Sequence, residues 1–344
     1  MINHRGPEFA ELIAEVSAGV RRVYRTDNDV LTLTTSGTGG MEAAVVNHVS
    51  PGDRVLVVTV GVFGKRFVQL VQTYGGEAVE LAFDYGTAAD PTRIDAALAA
   101  DPSLRAVLVT HNETSTGVTN PLEEIGRAVR KHDRLLIVDA ISSLSSVPVE
   151  TDAWGLDVVI SGSQKGWMVA PGLAFVSVSE RAWAAQERCK TPRFYFDLKK
   201  AKDSLDKGQT PWTPAISLLY QLRRAIQMLE AEGIEQVWAR QRRMADMVRD
   251  GVQALGLKLF AAEGARSDTV TSIVPPEGLV VSDMLRIART EFRTVFAGGQ
   301  GELSGKIFRF GHLGLVREED VRSGLQALER SLAKLGYKAP AATA

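Results

Sequence analysis

The chain has 344 residues, 45% of them hydrophobic and 24% charged, with a formal net charge of −1. This is the profile of an ordinary globular protein too long for a single core, and its neutrality excludes recruitment of nucleic acid or anionic membrane by a global field. The lone Cys189 excludes an intramolecular disulfide, and neither the start "MINHRGPEFAE" nor any later stretch is apolar enough for a leader or a membrane span, so the expectation is a cytoplasmic protein.

In chain order, "LTLTT" reads as a strand that enters the small-residue turn "SGTGG" and then a helix, "GGMEAAVVNHV". Further strands are predicted at "DRVLVVTV" (53–60), "EAVELAF" (77–83), "RAVLVTH" (105–111), "RLLIVDA" (134–140), "LDVVISG" (156–162) and "GLAFVSV" (172–178). Several are almost continuously apolar, as strands covered on both faces are. Amphipathic segments such as "GKRFVQLVQTYG" and "PLEEIGRAVRKHD" lie between them. Strand–helix alternation predicts an α/β layer around a mainly parallel sheet.

After about residue 208 the texture changes. "PAISLLYQLRRAIQMLEAEG" and "IEQVWARQRRMADMVRDGVQALG" read as two long helices meeting at Gly233. A smaller α+β pattern follows: "SDTVTSIVP" and "KIFRFGHLG" as strands, "VSDMLRIARTEF" and "EEDVRSGLQALERSLAKLG" as helices. The expected division is a large domain over 1–235 and a small C-terminal domain over 236–344.

Ligands of open α/β sheets bind outside the carboxyl ends of the strands. Four predicted strand ends carry reactive groups: the "SGTGG" turn, Thr114 after "VLVTHNE", Asp139 closing "LLIVD", and Lys165 after "VVISGSQ". The amides of Gly37 and Thr38, with the Ser36 and Thr38 hydroxyls, form a phosphate cradle at a helix start. The turn lacks the full G-x-G-x-x-G pattern and its distant acid, and the Walker pattern is absent. Each feature alone has an ordinary reading: a glycine-rich helix start, a strand-end cap, a solvated lysine. Together they meet the needs of pyridoxal 5'-phosphate, which takes a lysine for its aldehyde, a carboxylate for its pyridine nitrogen and a cradle for its phosphate. Small residues around Lys165 leave space for a ring, and a partly desolvated lysine suits work as a general base.

The segments "SGTGGMEAAV", "HNETSTGV", "LLIVDAISSL", "SGSQKG" and "FRFGHLG" resemble those of fold-type I, class V aminotransferases of the serine/alanine–glyoxylate group, and the resemblance spans nearly the whole chain. It implies a large domain with a seven-stranded, mainly parallel sheet and a small α+β domain. By the same resemblance Ser36, Gly37 and Thr38 match the phosphate-binding turn, and Phe63 matches an aromatic stacked on the pyridine ring. Thr114, Ile141 and Gln164 match cofactor-contacting positions. Asp139 matches the partner of the pyridine nitrogen, Lys165 the Schiff-base lysine, and Arg309 the arginine that grips the substrate carboxylate. "TPWTPAIS" (210–217) resembles a loop reaching the phosphate of a partner subunit, through Thr213 or Thr210, which implies a homodimer with its active site at the interface. Resembling enzymes carry a further N-terminal segment with a Pro-Gly-Pro-type turn, and this sequence begins downstream of it.

The expected reaction is amino transfer from serine or alanine to glyoxylate or pyruvate, with no metal, nucleic acid or membrane partner. Two other readings are a cofactor-dependent lyase of the cysteine desulfurase kind and a non-catalytic binding protein. The first wants histidine where Gln164 stands and a mobile cysteine, whereas Cys189 lies in a predicted helical segment. The second is disfavoured by the presence of both Asp139 and Lys165.

Overall fold

The computed structural model describes residues 2–340. The chain opens with α1 (Pro7–Tyr24), β1 (Asp29–Leu33), α2 (Gly37–His48), β2 (Arg54–Thr59), α3 (Val62–Thr73), β3 (Glu77–Ala82), α4 (Pro91–Ala100) and β4 (Leu104–Thr110). A short ribbon of β5 (Asn112–Glu113) and β6 (Val118–Thr119) precedes α5 (Leu122–Lys131), β7 (Leu135–Asp139), β8 (Val158–Gly162), β9 (Ala174–Val178), α6 (Glu180–Gln186) and α7 (Leu198–Leu205). The long helices α8 (Ile216–Glu232) and α9 (Ile234–Ala254) follow, then β10 (Lys258–Leu259), β11 (Val270–Val274), α10 (Val281–Phe292), β12 (Ala297–Gly298), β13 (Phe308–Gly311) and α11 (Glu318–Lys334).

Every apolar run read as a strand is a strand. Seven of them form one sheet in the order β1-β9-β8-β7-β4-β2-β3. β3, β2, β4, β7 and β8 pair in parallel, while β9 is antiparallel to both β8 and β1. β1 therefore runs with the parallel set, and β9 alone opposes it. All five residues of β8 and of β9 are buried, whereas the edge strand β3 exposes Glu77, Glu80 and Ala82.

The strand side chains alternate between two cores, as the pleat requires. Leu56, Val58, Val107 and Val109 point to the core shared with α1, α4, α5 and α8. Val55, Val57, Ala106 and Leu108 point to the core shared with α2, α3, α6 and α7. The helix α1, which the sequence reading left unassigned, buries Phe9, Leu12, Ile13, Val16, Val20 and Val23 at helical spacing. It approaches α8 so closely that a Cβ on Gly19 would lie 2.5 Å from Ile226 Cγ2.

A second sheet, antiparallel and ordered β10-β11-β13-β12, packs its own core with Met244 and Val248 of α9, Met284 of α10 and Leu328 of α11. α8 and α9 meet at Gly233, whose φ of +86° lets one helix end and the next begin without a spacer. Among the described residues no helix is long and apolar enough to cross a membrane.

Candidate active site

The parallel strands of the large sheet deliver their side chains to one edge. β1 ends at Leu33, and Ser36 starts α2 in extended conformation without a side-chain cap. The first intrahelical bond at this end is Gly40 N to Ser36 O, at 3.1 Å, so the amides of Gly37, Thr38 and Gly39 are the open donors of a helix start. The glycines are spatial necessities. A Cβ on Gly39 would fall 2.0 Å from Thr35 Oγ1, and one on Gly37 would fall 2.7 Å from Ile141 Cδ1. Ile141 thus lies against the turn, and it also faces Gly162 at the end of β8.

Asp139 is the last residue of β7 and is 3% exposed. Its carboxylate accepts from Ile141 N at 2.9 Å and more weakly from Thr110 Oγ1 at 3.4 Å. Burial pushes its pKa up to about 7; the Ile141 amide and the charge of Arg66 act against that rise, and the charge of Glu113 adds to it. A buried carboxyl with so few donors is suited to a cationic partner, and a protonated pyridine nitrogen is one.

Lys165 follows β8 in a loop that closes on itself. Ser163 N donates to Leu173 O at 3.0 Å, Leu173 N donates to Ser163 Oγ at 3.1 Å, and Ser163 Oγ donates to Ala170 O at 2.8 Å. Trp167, fully buried, anchors the loop through Nε1 to Ser161 Oγ at 2.9 Å. A Cβ on Gly166 would lie 2.1 Å from Ser146 Oγ. Gly166 therefore serves loop closure, while Gly162 lies beside Gln164, Gly37 and Ile141. The amine is half-buried. Burial holds its pKa below the ordinary value, the charge of Arg309 lowers it further, and that of Asp139 opposes both.

Arg309 comes from β13 of the small sheet and is 8% exposed. Nε donates to Gly298 O at 3.0 Å, and Nη1 donates to Thr114 O at 2.9 Å and to Gln300 Oε1 at 3.4 Å. All three acceptors are neutral, so the guanidinium is oriented without being neutralised. Thr114 Oγ1 donates to Ser142 Oγ at 2.9 Å, which ties this corner to the segment after Asp139.

The structure thus brings Gly37, Ile141, Gly162 and Gln164 into contact and sets Asp139 and Arg309 each within electrostatic reach of Lys165. Phe63 sits in the first turn of α3 with the Arg66 guanidinium 4.7 Å above its ring centroid. Thr213 is exposed, and Thr210 Oγ1 turns inward to Trp212 O at 2.7 Å. Arg66 was missed by sequence reasoning: it donates to Thr38 Oγ1 at 3.0 Å and its charge acts on Asp139. Ser142 was missed too, because its contact with Thr114 spans 28 residues, as was Gln300, which meets Arg309 nine residues on.

Two clefts of about 880 and 890 Å³ lie elsewhere, one between α1 and the α8–α9 junction, the other lined by Asp53, Arg105, Arg134 and Cys189. Asp139, Lys165 and Arg309 line neither; chemistry rather than volume marks the site. Cys189, expected in a helical segment, lies just beyond α6, at the edge where β2, β4 and β7 begin.

A family model described as Aminotransferase class-V matches residues 1–291. The chain is 44% identical to a "Soluble hydrogenase, small subunit" of Synechococcus sp. over 98% of its own length and 88% of that protein's. It is 37% identical to an L-aspartate–glyoxylate aminotransferase of Paracoccus denitrificans, covering 97% of this chain and 86% of that one. Against a serine–glyoxylate aminotransferase of Hyphomicrobium methylovorum the identity is 35%, with 96% and 84% covered. A crystal structure of an alanine–glyoxylate aminotransferase from Nostoc sp. superposes with a TM-score of 0.93 at 32% identity, covering 96% and 89%.

Proposed function

This chain belongs to the class-V aminotransferases, and on that premise we propose that it moves an amino group from serine or alanine to glyoxylate or pyruvate. The cofactor of the family, pyridoxal 5'-phosphate, supplies an aldehyde that joins amines and a protonated ring that draws electrons from the carbon bearing the amino group. One observation carries the reading: a buried carboxyl that lacks a strong partner, a desolvated lysine and an arginine hydrogen-bonded only to neutral acceptors gather at the edge where α2 offers open amides.

In this reading the amides and hydroxyls of Ser36, Gly37 and Thr38 bind the phosphate. Asp139 would pair with the protonated ring nitrogen, and Phe63, Ile141, Thr114 and Gln164 would hold the ring. Lys165 holds the cofactor at rest and later takes the Cα proton of the amino acid at Nζ. Burial and the charge of Arg309 hold its pKa below the ordinary amine value, which favours the neutral form a base requires. Arg309, whose Nη2 is not engaged by Gly298, Thr114 or Gln300, receives the substrate carboxylate and fixes which Cα bond faces Lys165.

We further propose a cytoplasmic homodimer. Phe194 is 71% exposed and Tyr195 45%. Both rings pack on Trp212, with centroids 4.9 and 5.8 Å away, and Tyr195 Oη donates to Thr34 O two residues before Ser36. An apolar patch in that place suits burial against a second copy, with Thr213 reaching the other copy's phosphate. In this reading residues 1–235 form the cofactor-binding domain and 236–344 the small domain.

The cofactor-loaded protein is assayed with serine, alanine and aspartate as donors against glyoxylate and pyruvate. Glycine or alanine formation, fastest from serine or alanine, is expected. Failure of every donor–acceptor pair overturns the reading, and ammonia release without an acceptor points to a lyase.

A further inference from the structure

Phe63 lies in the first turn of α3, and nothing in its own segment caps that turn. The N-cap residue is Gly61, which has no side chain. The open amides are taken by residues about fifty positions away. Val62 N donates to Ser115 Oγ at 3.0 Å, and Phe63 N and Gly64 N donate to Glu113 Oε2 at 2.9 and 3.1 Å. The other oxygen, Glu113 Oε1, accepts from Ser115 N at 3.1 Å and Ser115 Oγ at 2.5 Å. The Glu113 side chain is completely buried; burial raises its pKa, and the four donors and the positive end of α3 act against that rise. The fit is tight: a Cβ on Gly61 would lie 2.5 Å from both Glu113 Cδ and Ser115 Oγ.

The residue between these two caps faces the other way. Thr114 O accepts from Arg309 Nη1 at 2.9 Å, and Thr114 Oγ1 donates to Ser142 Oγ, three residues after Asp139. One tripeptide, 113–115, therefore touches the Phe63 turn, the arginine of the small sheet and the segment leaving β7.

We infer that Glu113 and Ser115 are positioning residues: by capping α3 from outside they hold Phe63 in register with Arg309 through the backbone of Thr114. The inference rests on the aminotransferase reading of the site. Glutamine at 113 has the right shape but puts an NH₂ group where the carboxylate accepts N–H groups, so one side of the clamp faces donor against donor.

The test compares wild type, Glu113→Gln and Ser115→Ala as full-length proteins by titration with pyridoxal 5'-phosphate, visible circular dichroism, and KM and kcat for the donor amino acid. Hydrogen exchange at residues 62–64 is followed in cofactor-free protein. Glu113→Gln is expected to weaken cofactor binding at least 10-fold, to alter the visible dichroic band, to raise KM several-fold and to speed exchange at 62–64. Ser115→Ala is expected to shift each readout the same way by about 3-fold, and it decides the question alone if Glu113→Gln does not fold. A purely structural role would lower only the melting temperature. Variants with wild-type affinity, dichroism and KM overturn the inference, whatever their stability. If wild type itself takes up no cofactor, the functional reading fails as well; if wild type loads and turns over beside unaltered variants, only this inference fails.

Discussion

The loop after β8 and the loop before α8 both border the proposed site, and they are built in opposite ways. Residues 163–173 close through Ser163 on both sides, bury Trp167 and leave no room for a larger residue than Gly166. The approach to α8 instead turns Phe194 and Tyr195 outward onto Trp212, with Lys200 Nζ 4.6 Å from the Phe194 ring centroid. The lysine thus stands on a segment made rigid by its own chain, while the aromatic segment carries apolar surface with nothing over it in one chain. Geometry that chemistry needs to a fraction of an ångström is supplied internally; the apolar surface is what the proposed homodimer would bury.

Four substitutions sharpen or break this contrast, the largest expected effect first. Lys165→Ala lowers turnover by about 10²–10⁴-fold, while the melting temperature does not fall, since the loop closes without the amine; a large loss of stability would show that the side chain braces the loop. Asp139→Asn acts through pH in cofactor-free protein. The folded pKa of about 7 lies above the unfolded carboxyl value, so wild type loses stability as pH rises from about 4 to about 7, by up to about 4 kcal/mol. The asparagine variant should therefore melt above wild type at pH 8 and level with it at pH 4. An unchanged difference across that range contradicts the buried, poorly partnered carboxyl.

Gly166→Ala forces a methyl group against Ser146 and destabilises by about 1–3 kcal/mol at every protein concentration. Replacing Phe194 and Trp212 together by serine changes single-chain stability by about 1 kcal/mol or less, and shows its effect as dissociation on dilution in sedimentation. If Gly166→Ala depends on concentration and the aromatic pair does not, the two loops have been assigned the wrong way round.

Much of this arrangement is legible in the sequence because strands buried on both faces announce themselves. Continuous Val and Leu runs located β2, β4, β7 and β8 and so the ends where Asp139 and Lys165 stand. The helix α1 was missed although its apolar residues repeat at helical spacing behind Pro7, so that miss was of reading and not of signal. The two-residue strands β10 and β12 have too few side chains to show any period. Within the site, residue types at strand ends pointed to Asp139 and Lys165, whereas Arg309 came from the family resemblance alone. Glu113, Arg66 and Ser142 act through partners far away in the chain, and no local pattern encodes that. Sequence did not separate the small residues near Lys165 either, because Gly166 packed against Ser146 and Gly162 beside Gly37 and Ile141 look the same in one dimension.

The most direct test of the central claim is chemical. The purified, cofactor-loaded protein is reduced with borohydride, digested and mapped by mass spectrometry. The account predicts a pyridoxyl group on Lys165, within the peptide containing "SGSQKG". Labelling at another lysine, or no stable label in a protein that takes up no cofactor, contradicts it.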